Sequence, residues 1–336
     1  MKVLVTGSSG HLGEALIRTL RARGDEVIGI DIQPSPYTDH VGSISDPAFV
    51  ERCMAGIDAV LHSATLHKPH VETHTRQQFV DTNVSGTLNL LEAAARSRVR
   101  AFVHTSTTSA FGAALTPPPD APAAWITEDV VPVSKNIYGA TKLAAEDLCQ
   151  LFHRLERLPC IVLRTSRFFP EADDAADARA AYADANLKLN EFLHRRVEIE
   201  DVVSAHLLAA ERAPTIGFGR YIISATTPFT PDDAAALCRD PAAVLRARVP
   251  QYAAVYAQRG WRMTGSLDRV YDNALARRQL GWQPRWDFAA LIARLEAGHD
   301  YRSALALAIG RKPYHPVLLA GDGPNPVGMA HASPRS

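Results

Sequence analysis

A short apolar run, Met1 to Val5, breaks into Thr6-Gly7-Ser8-Ser9-Gly10-His11-Leu12-Gly13, and from His11 to Arg23 the apolar residues recur with helical spacing. A strand, a tight glycine turn and a helix satisfy that pattern. Glycines so spaced let backbone N–H groups approach an anion and bring helix against strand, while the helix N-terminus adds partial positive charge. The spacing Gly-x-x-Gly-x-x-Gly differs from the standard Gly-x-Gly-x-x-Gly, and taken alone it fits any glycine-rich turn. Asp31 changes the reading. It closes a second run, Glu26 to Asp31, eighteen residues after Gly13, where a carboxylate can accept the hydroxyls of an adenosine ribose. Together these residues point to a bound dinucleotide. Asp31 would repel a 2′-phosphate, and Ile32 and Gln33 beside it offer no arginine to hold one, so NAD is expected in preference to NADP.

Beyond the turn, short apolar runs alternate with helical patterns, the signature of βαβ units and a parallel sheet. Strands are expected at Val3–Val5, Glu26–Asp31, Ala59–His62, Ala101–Thr105 and Cys160–Leu163. Val80, Val84, Leu88, Leu91 and Ala95 recur at spacings of three and four, which predicts one helix face lying on the sheet. Ile137 to Leu155 predicts another helix. Farther on, Glu171–Asn186 and Asp201–Glu211 read as helices, Arg196–Ile199 as a strand and Tyr221–Ser224 as a return to the sheet. The expected fold is α/β: a Rossmann-like doubly wound parallel sheet with a smaller, mostly helical C-terminal substrate lobe. Residues 1–165, with 196–225 returning to them, would form the dinucleotide domain, and 166–195 with 226–311 the lobe. Residues 312–336, rich in proline and without periodicity, are expected to be a flexible tail.

Tyr138 and Lys142 stand four residues apart, hence on one helix face, where an ammonium would favour the phenolate and lower its pKa. Such a phenolate can take a proton from a substrate hydroxyl. The hydroxyl-rich segment His104 to Gly112 leaves the carboxyl end of a mid-sheet strand, where ligands of doubly wound folds bind.

With these residues in view the chain resembles the extended short-chain dehydrogenase/reductase superfamily, in its NAD-dependent epimerase/dehydratase branch. Thr6 to Gly13 resembles the family's T-G-x-x-G-x-x-G loop, Asn83-Val84-Ser85-Gly86-Thr87 its N-V-x-G-T helix, and Tyr138 with Lys142 its Y-x-x-x-K; Leu280-Gly281-Trp282-Gln283-Pro284 is similar to its L-G-W-x-P. The resemblance, over roughly residues 1 to 290, implies that Thr107, Tyr138 and Lys142 are catalytic, with Ser106 just before Thr107. It also implies that Gly7, Ser9, Gly10, His11, Leu12, Gly13, Asp31, Ile32, His62, Ala64, Asn83 and Lys142 line the cofactor, with Asp58 and His62 along the cofactor-contacting strand. A homodimer joined through Phe79–Ala95 and Ile137–Leu155 would follow by the same analogy.

The chain also departs from the family. Thr108 and Ser109 stand where 4,6-dehydratases carry Asp-Glu, so that dehydration is disfavoured. Arg167 takes the place of an asparagine in the R-x-x-N-x-Y-G-P segment, and His194 that of a nucleotide-contacting arginine. A uridine-diphosphate clamp is therefore in doubt, and a free sugar, sugar acid or sugar phosphate becomes a contender. Arg195 and Arg196 read more readily as a solvated basic face than as an anion site. His70 and His74 are spaced to chelate a metal on a helix, but no carboxylate or cysteine motif completes the set, so no metal is expected; His67, Lys68 and Arg76 are either substrate contacts or plain surface.

Lys plus Arg (36) equals Asp plus Glu (36), which leaves no basic field for nucleic acid or an anionic membrane. The four scattered cysteines, Cys53, Cys149, Cys160 and Cys238, suggest no disulfide framework, and no apolar stretch reaches spanning length, so a cytoplasmic location is expected. Three readings stand: an NAD-dependent epimerase acting on a sugar or sugar derivative, a net dehydrogenase of a small sugar acid or polyol, and a non-catalytic NAD-binding protein, the last disfavoured because Thr107, Tyr138 and Lys142 are all present.

Overall fold

A computed structural model describes residues 1–118, 121–173 and 175–312. Among them the first part of the chain alternates strand and helix: β1 Lys2–Thr6, α1 His11–Ala22, β2 Glu26–Asp31, β3 His40–Val41, α2 Pro47–Cys53, β4 Ala59–His62, α3 Arg76–Phe79, α4 Gly86–Arg96, β5 Ala101–Thr107, β6 Ala124–Ile126, α5 Ile137–Glu156 and β7 Cys160–Thr165. Then come α6 Ala176–Ala181, α7 Asp184–Phe192, α8 Ile199–Ile216, β8 Phe218–Ile223, α9 Ala234–Leu237, α10 Pro241–Arg248, α11 Tyr252–Arg259, β9 Arg269–Tyr271, α12 Phe288–Glu296 and α13 Ala304–Ile309.

Seven strands form one parallel sheet in the order β3-β2-β1-β4-β5-β7-β8. The order reverses between β1 and β4, which opens a crevice at their carboxyl ends. Apolar side chains alternate across this sheet, and each face is covered. On one, Leu12, Leu16 and Leu20 of α1 and Val202, Ala205 and Ala209 of α8 pack on Val3, Val5, Leu61 and Val103; on the other, α2, α4 and α5 cover Leu4, Ile30, Val60, Phe102 and Val162. A second core, with Leu189, Leu237, Leu245, Tyr252, Tyr256, Phe288 and Ile292, fills the lobe.

The Leu-Gly-Trp segment joins the lobe to the sheet domain. Trp282 is buried, its Nε1 donates to the Asp201 carbonyl at 3.2 Å and to Ser204 Oγ at 3.0 Å, and the Asp201 carboxylate accepts the backbone N–H groups of Arg285 and Trp286.

Several expectations fail in detail. The stripe Val80, Val84, Leu88 and Ala95 is half-buried instead of lying on the sheet, because residues 80–85 adopt a wide π-type turn that rotates the helix and turns Phe79, Asn83, Thr87, Leu90 and Ala94 inward along with Leu91. Val84 instead shares an open groove with Ala144, Leu148 and Leu151 of α5. No single helix covers 171–186: Glu171 belongs to a loop, and α6 and α7 are separate. Arg196 makes only an isolated bridge to Arg167, and α8 already begins at Ile199. The expected flexible tail lies outside the described residues apart from Lys312, which is fixed by hydrogen bonds.

Gly7 has φ +73, and a Cβ on Gly13 would lie 1.9 Å from the Gly7 carbonyl oxygen. Gly13→Ala is therefore expected to force the turn from α1 at a cost of about 1–3 kcal/mol; thermal melts of the two proteins check this, and an unchanged midpoint would contradict the packing described.

Candidate active site

Strand β5 and helix α5 build the centre of the site. The Asn136 side chain caps α5 by accepting the Gly139 N–H at 3.0 Å, which fixes where the helix begins. Tyr138, Lys142 and Glu146 then follow one another along its buried face. At the end of β5, Thr107 is 8% exposed, its Oγ1 accepts the Ser109 N–H at 3.0 Å, and its side chain is near enough to the Tyr138 phenol to act on its ionisation.

The electrostatics differ from expectation. Burial pushes the Tyr138 phenol up to about 12, against the opposing hydrogen bond from Thr107, and brings the Lys142 amine down to about 8, against the negative potential of Glu146. Lys142 does not lower the phenol here, because its Nζ donates to the Thr105 carbonyl at 2.7 Å. The phenol is thus protonated at neutral pH, and the amine keeps most of its charge.

Glu146 and Arg164 are components the sequence reading missed. Glu146 is 1% exposed, accepts from Ser106 Oγ at 2.5 Å and Arg164 Nη2 at 2.7 Å, and forms an ion pair with Arg220 Nε at 3.3 Å; Arg164 also lies over the Phe111 ring at 4.8 Å. One carboxylate therefore ties α5 to β5, β7 and β8. Two signals were available: Glu146 continues the spacing of four from Tyr138 and Lys142, and Arg164 is a charge in an otherwise apolar strand.

The glycine turn faces the crevice. Asp31 accepts the N–H of Ser9 at 3.0 Å and of Gln33 at 2.9 Å, which places its carboxylate between the turn and the tip of β2, with Ile32 exposed beside it. Gly10 donates to the Gly7 carbonyl at 3.0 Å, and a Cβ on Gly7 would fall 2.8 Å from the Ala64 nitrogen. Leu12 packs into the core below, and His11 opens α1.

Other expected cofactor residues shape the crevice from behind. The His62 ring is held at Nδ1 by Thr6 at 2.8 Å and at Nε2 by Thr87 at 2.9 Å, and burial, then the Lys142 charge, keeps it neutral. Asn83 accepts the Leu66 N–H at 2.8 Å and donates to Thr141 Oγ1 at 3.1 Å, which pins the loop after β4 to α5. Asp58 lies at the opposite, amino end of the sheet, accepting the Lys2 N–H at 2.7 Å.

The rings of the histidine loop meet edge to face: the His67 and His70 centroids are 4.6 Å apart, and those of His70 and His74 5.0 Å apart. Among the described residues no group of three His, Cys, Asp or Glu side chains is arranged to hold a metal ion. Lys68 and Arg76 are exposed.

The arginines after β7 are not a solvated face. Arg196 is buried and pairs with Glu191 at 2.8 Å; Arg195 reaches Glu191 at 2.9 Å, and Arg167 reaches Asp173 at 2.5 Å and Glu191 at 3.3 Å. His194 is buried, with Nδ1 on the Asn190 carbonyl. Burial would raise the Glu191 carboxyl, but Arg196, Arg195 and Arg167 pull it down to about 2 from an ordinary 4.5. A depressed carboxyl stabilises the fold above its unfolded pKa, and that contribution fades as pH falls from about 4.5 toward 2. Glu191→Gln should flatten this stretch of the acid-unfolding curve, read as denaturation midpoints from pH 5 to pH 2.

The family described as NAD dependent epimerase/dehydratase matches residues 3–220. A 3-beta-hydroxysteroid dehydrogenase of Mycolicibacterium neoaurum is 38% identical over 118 residues, 32% of this chain and 32% of that protein. A dTDP-glucose 4,6-dehydratase of Streptomyces niveus is 34% identical over 194 residues, 51% of this chain and 55% of that protein. The chain thus spans about a third to a half of these curated relatives. A short-chain dehydrogenase/reductase superfamily protein of Agrobacterium tumefaciens, solved with bound NAD, has the same fold at a TM-score of 0.62 and 23% identity, over 89% of this chain and 98% of that one. The chain belongs to the NAD-dependent epimerase/dehydratase family.

Proposed function

We propose that the protein is an NAD-dependent enzyme that acts on a hydroxyl of a sugar or sugar derivative and works in the manner of an epimerase. The observation that carries this reading is the buried phenol of Tyr138 against the Thr107 hydroxyl, with Lys142 one turn along the same helix, at the carboxyl rim of a parallel sheet. The residues present fit the cofactor: the absence of a Cβ at Gly7 and Gly13 lets the turn close on the Ala64 backbone and on the start of α1, as a dinucleotide turn requires, and the carboxylate of Asp31 stands at the tip of β2. Ser9 to Gly13 would hold the pyrophosphate on backbone N–H groups, Asp31 the adenosine ribose and Lys142 the nicotinamide ribose. NAD, when bound, supplies the hydride acceptor.

The remaining chemistry belongs to the chain. Tyr138 accepts the proton of the substrate hydroxyl, and Thr107 donates a hydrogen bond to the same oxygen and fixes its position. Drawing the Lys142 amine from the Thr105 carbonyl toward a bound ribose would bring its charge to bear on the phenol. The site has no carboxylate for dehydration next to Thr107: Thr108 is buried with its hydroxyl on the Thr165 carbonyl, and Ser109 follows.

A second reading, a net dehydrogenase of a free sugar or sugar acid, is favoured by one observation. Arg167 and Arg195, in the segment that aligns with the family's nucleotide-contacting stretch, are already paired with Glu191 and Asp173. Incubation with NAD and a panel of free and nucleotide-linked sugars separates the two: interconversion without net NADH supports the epimerase, and steady NADH accumulation overturns it.

The groove of Val84, Ala144, Leu148 and Leu151, with Leu155 67% exposed nearby, supports a homodimer through α4 and α5. No helix among the described residues is long and apolar enough to cross a membrane. The buried thiols Cys53, Cys149 and Cys160 suit a reducing, cytoplasmic setting.

Tyr138→Phe should lower turnover about a hundredfold or more while leaving NAD binding intact; retained activity would remove Tyr138 from its role. Because the free phenol titrates near 12, substrate oxidation should accelerate as pH rises from about 6 to 8, and a flat profile would contradict proton transfer to Tyr138. NADP should bind at least about tenfold more weakly than NAD, a difference of about 1.4 kcal/mol, by calorimetric titration, and Asp31→Ala should narrow the gap.

A further inference from the structure

β7 stands three places from β1, so chain leaving β7 must run about 14 Å along the rim to reach the phosphate turn. Residues 166–171 make that crossing. The Phe169 ring meets His11, at the start of α1, at 5.5 Å and His67, in the loop after β4, at 5.6 Å, while Phe168 backs it at 4.4 Å. Arg196 holds the Phe169 carbonyl at 3.0 Å, and Lys188 holds that of Pro170 at 2.6 Å. Glu171, 6% exposed, then brings Oε1 to 3.0 Å from His11 Nε2. The crossing thus runs from the carboxyl end of β7 past the loop after β4 to the start of α1, the two segments that border the switch-point crevice.

A second segment arrives from the far end of the sequence. The Lys312 backbone N–H donates to Glu171 Oε1 at 3.0 Å; its Nζ donates to the Ser9 carbonyl at 2.5 Å and pairs with Glu14 at 2.5 Å. Ser9 and His11 both belong to the phosphate turn, so the turn, the crossing and the chain at Lys312 meet in one knot. The knot is ionic: burial would raise the carboxyls of Glu171 and Glu14, but contacts with His11 and with Lys312 and Arg18 hold them below the ordinary range.

We propose that Phe169, Glu171 and Lys312 form a latch across the dinucleotide crevice, and that its opening sets the rate at which bound NAD or NADH leaves. The proposal rests on reading this crevice as the NAD site. A dinucleotide lying on the turn can depart only if the crossing lifts, which requires the contact of Glu171 with His11 and the anchoring of the Lys312 ammonium on Ser9 and Glu14 to break. An enzyme that returns its hydride to the same substrate gains from such retention, whereas a net dehydrogenase must discharge NADH at every turnover.

The test is stopped-flow release of NADH from the full-length protein, chased with excess NAD and followed by nicotinamide fluorescence. Glu171→Gln and Lys312→Met should each speed release about tenfold or more, and the double variant should exceed the faster single by less than about twofold, since the two residues act in one device. Release rates of both single variants within twofold of the parent would overturn the latch. Lys312 lies at a partly exposed edge, so Lys312→Met keeps the test open if Glu171→Gln folds poorly. Failure of the parent to bind NADH would overturn the latch together with the cofactor reading. No sugar is present, so accelerated release by the variants upholds the latch even where the sugar panel shows no turnover.

Discussion

The carboxylate of Glu146 is the interaction on which the centre of this protein depends. It is almost fully buried, and a hydroxyl and two guanidinium groups balance it from three different strands. An isolated charge there would be prohibitive, and removing one partner of a buried pair costs about 3–5 kcal/mol. The sheet and α5 are therefore not free to slide past one another. Since Ser106 precedes Thr107 and Glu146 follows Lys142 by one turn, the same contact fixes the hydroxyl, phenol and amine relative to one another.

Burial then acts on those three groups. It raises the phenol and lowers the amine, moving both toward their neutral forms. Around them stand neutral imidazoles: His62 is saturated between two threonines, His206 donates from Nδ1 to the Val202 carbonyl and receives Thr105 Oγ1–H at Nε2, and burial keeps His104 uncharged. A dry, weakly charged floor of this kind screens little, so a cationic group placed above it would be felt strongly.

The glycine turn, the strands up to Leu163 and the Tyr-Lys pair were legible in the sequence because each is local: glycine spacing, period-two runs and a four-residue repeat all express contacts within a few residues. Three features were not. The π-type turn at 80–85 shifts the helix phase after a run whose periodicity looks regular. Arg196 and Arg195 look solvated beside one another in sequence, yet their partner, Glu191, lies four or five residues back on α7, and Asp173 joins them only through the fold. Lys312 sits at the head of a proline-rich stretch, and nothing near it reports that Ser9 and Glu14 wait some three hundred positions away.

Helix α8 serves two masters. Its inner face packs on β4, β5, β7 and β8, and its first turn accepts the indole of Trp282 and the amides of Arg285 and Trp286 from the lobe. Any displacement of the lobe relative to the sheet would have to break these hydrogen bonds or carry α8 along, so a single helix serves as the common support of both cores.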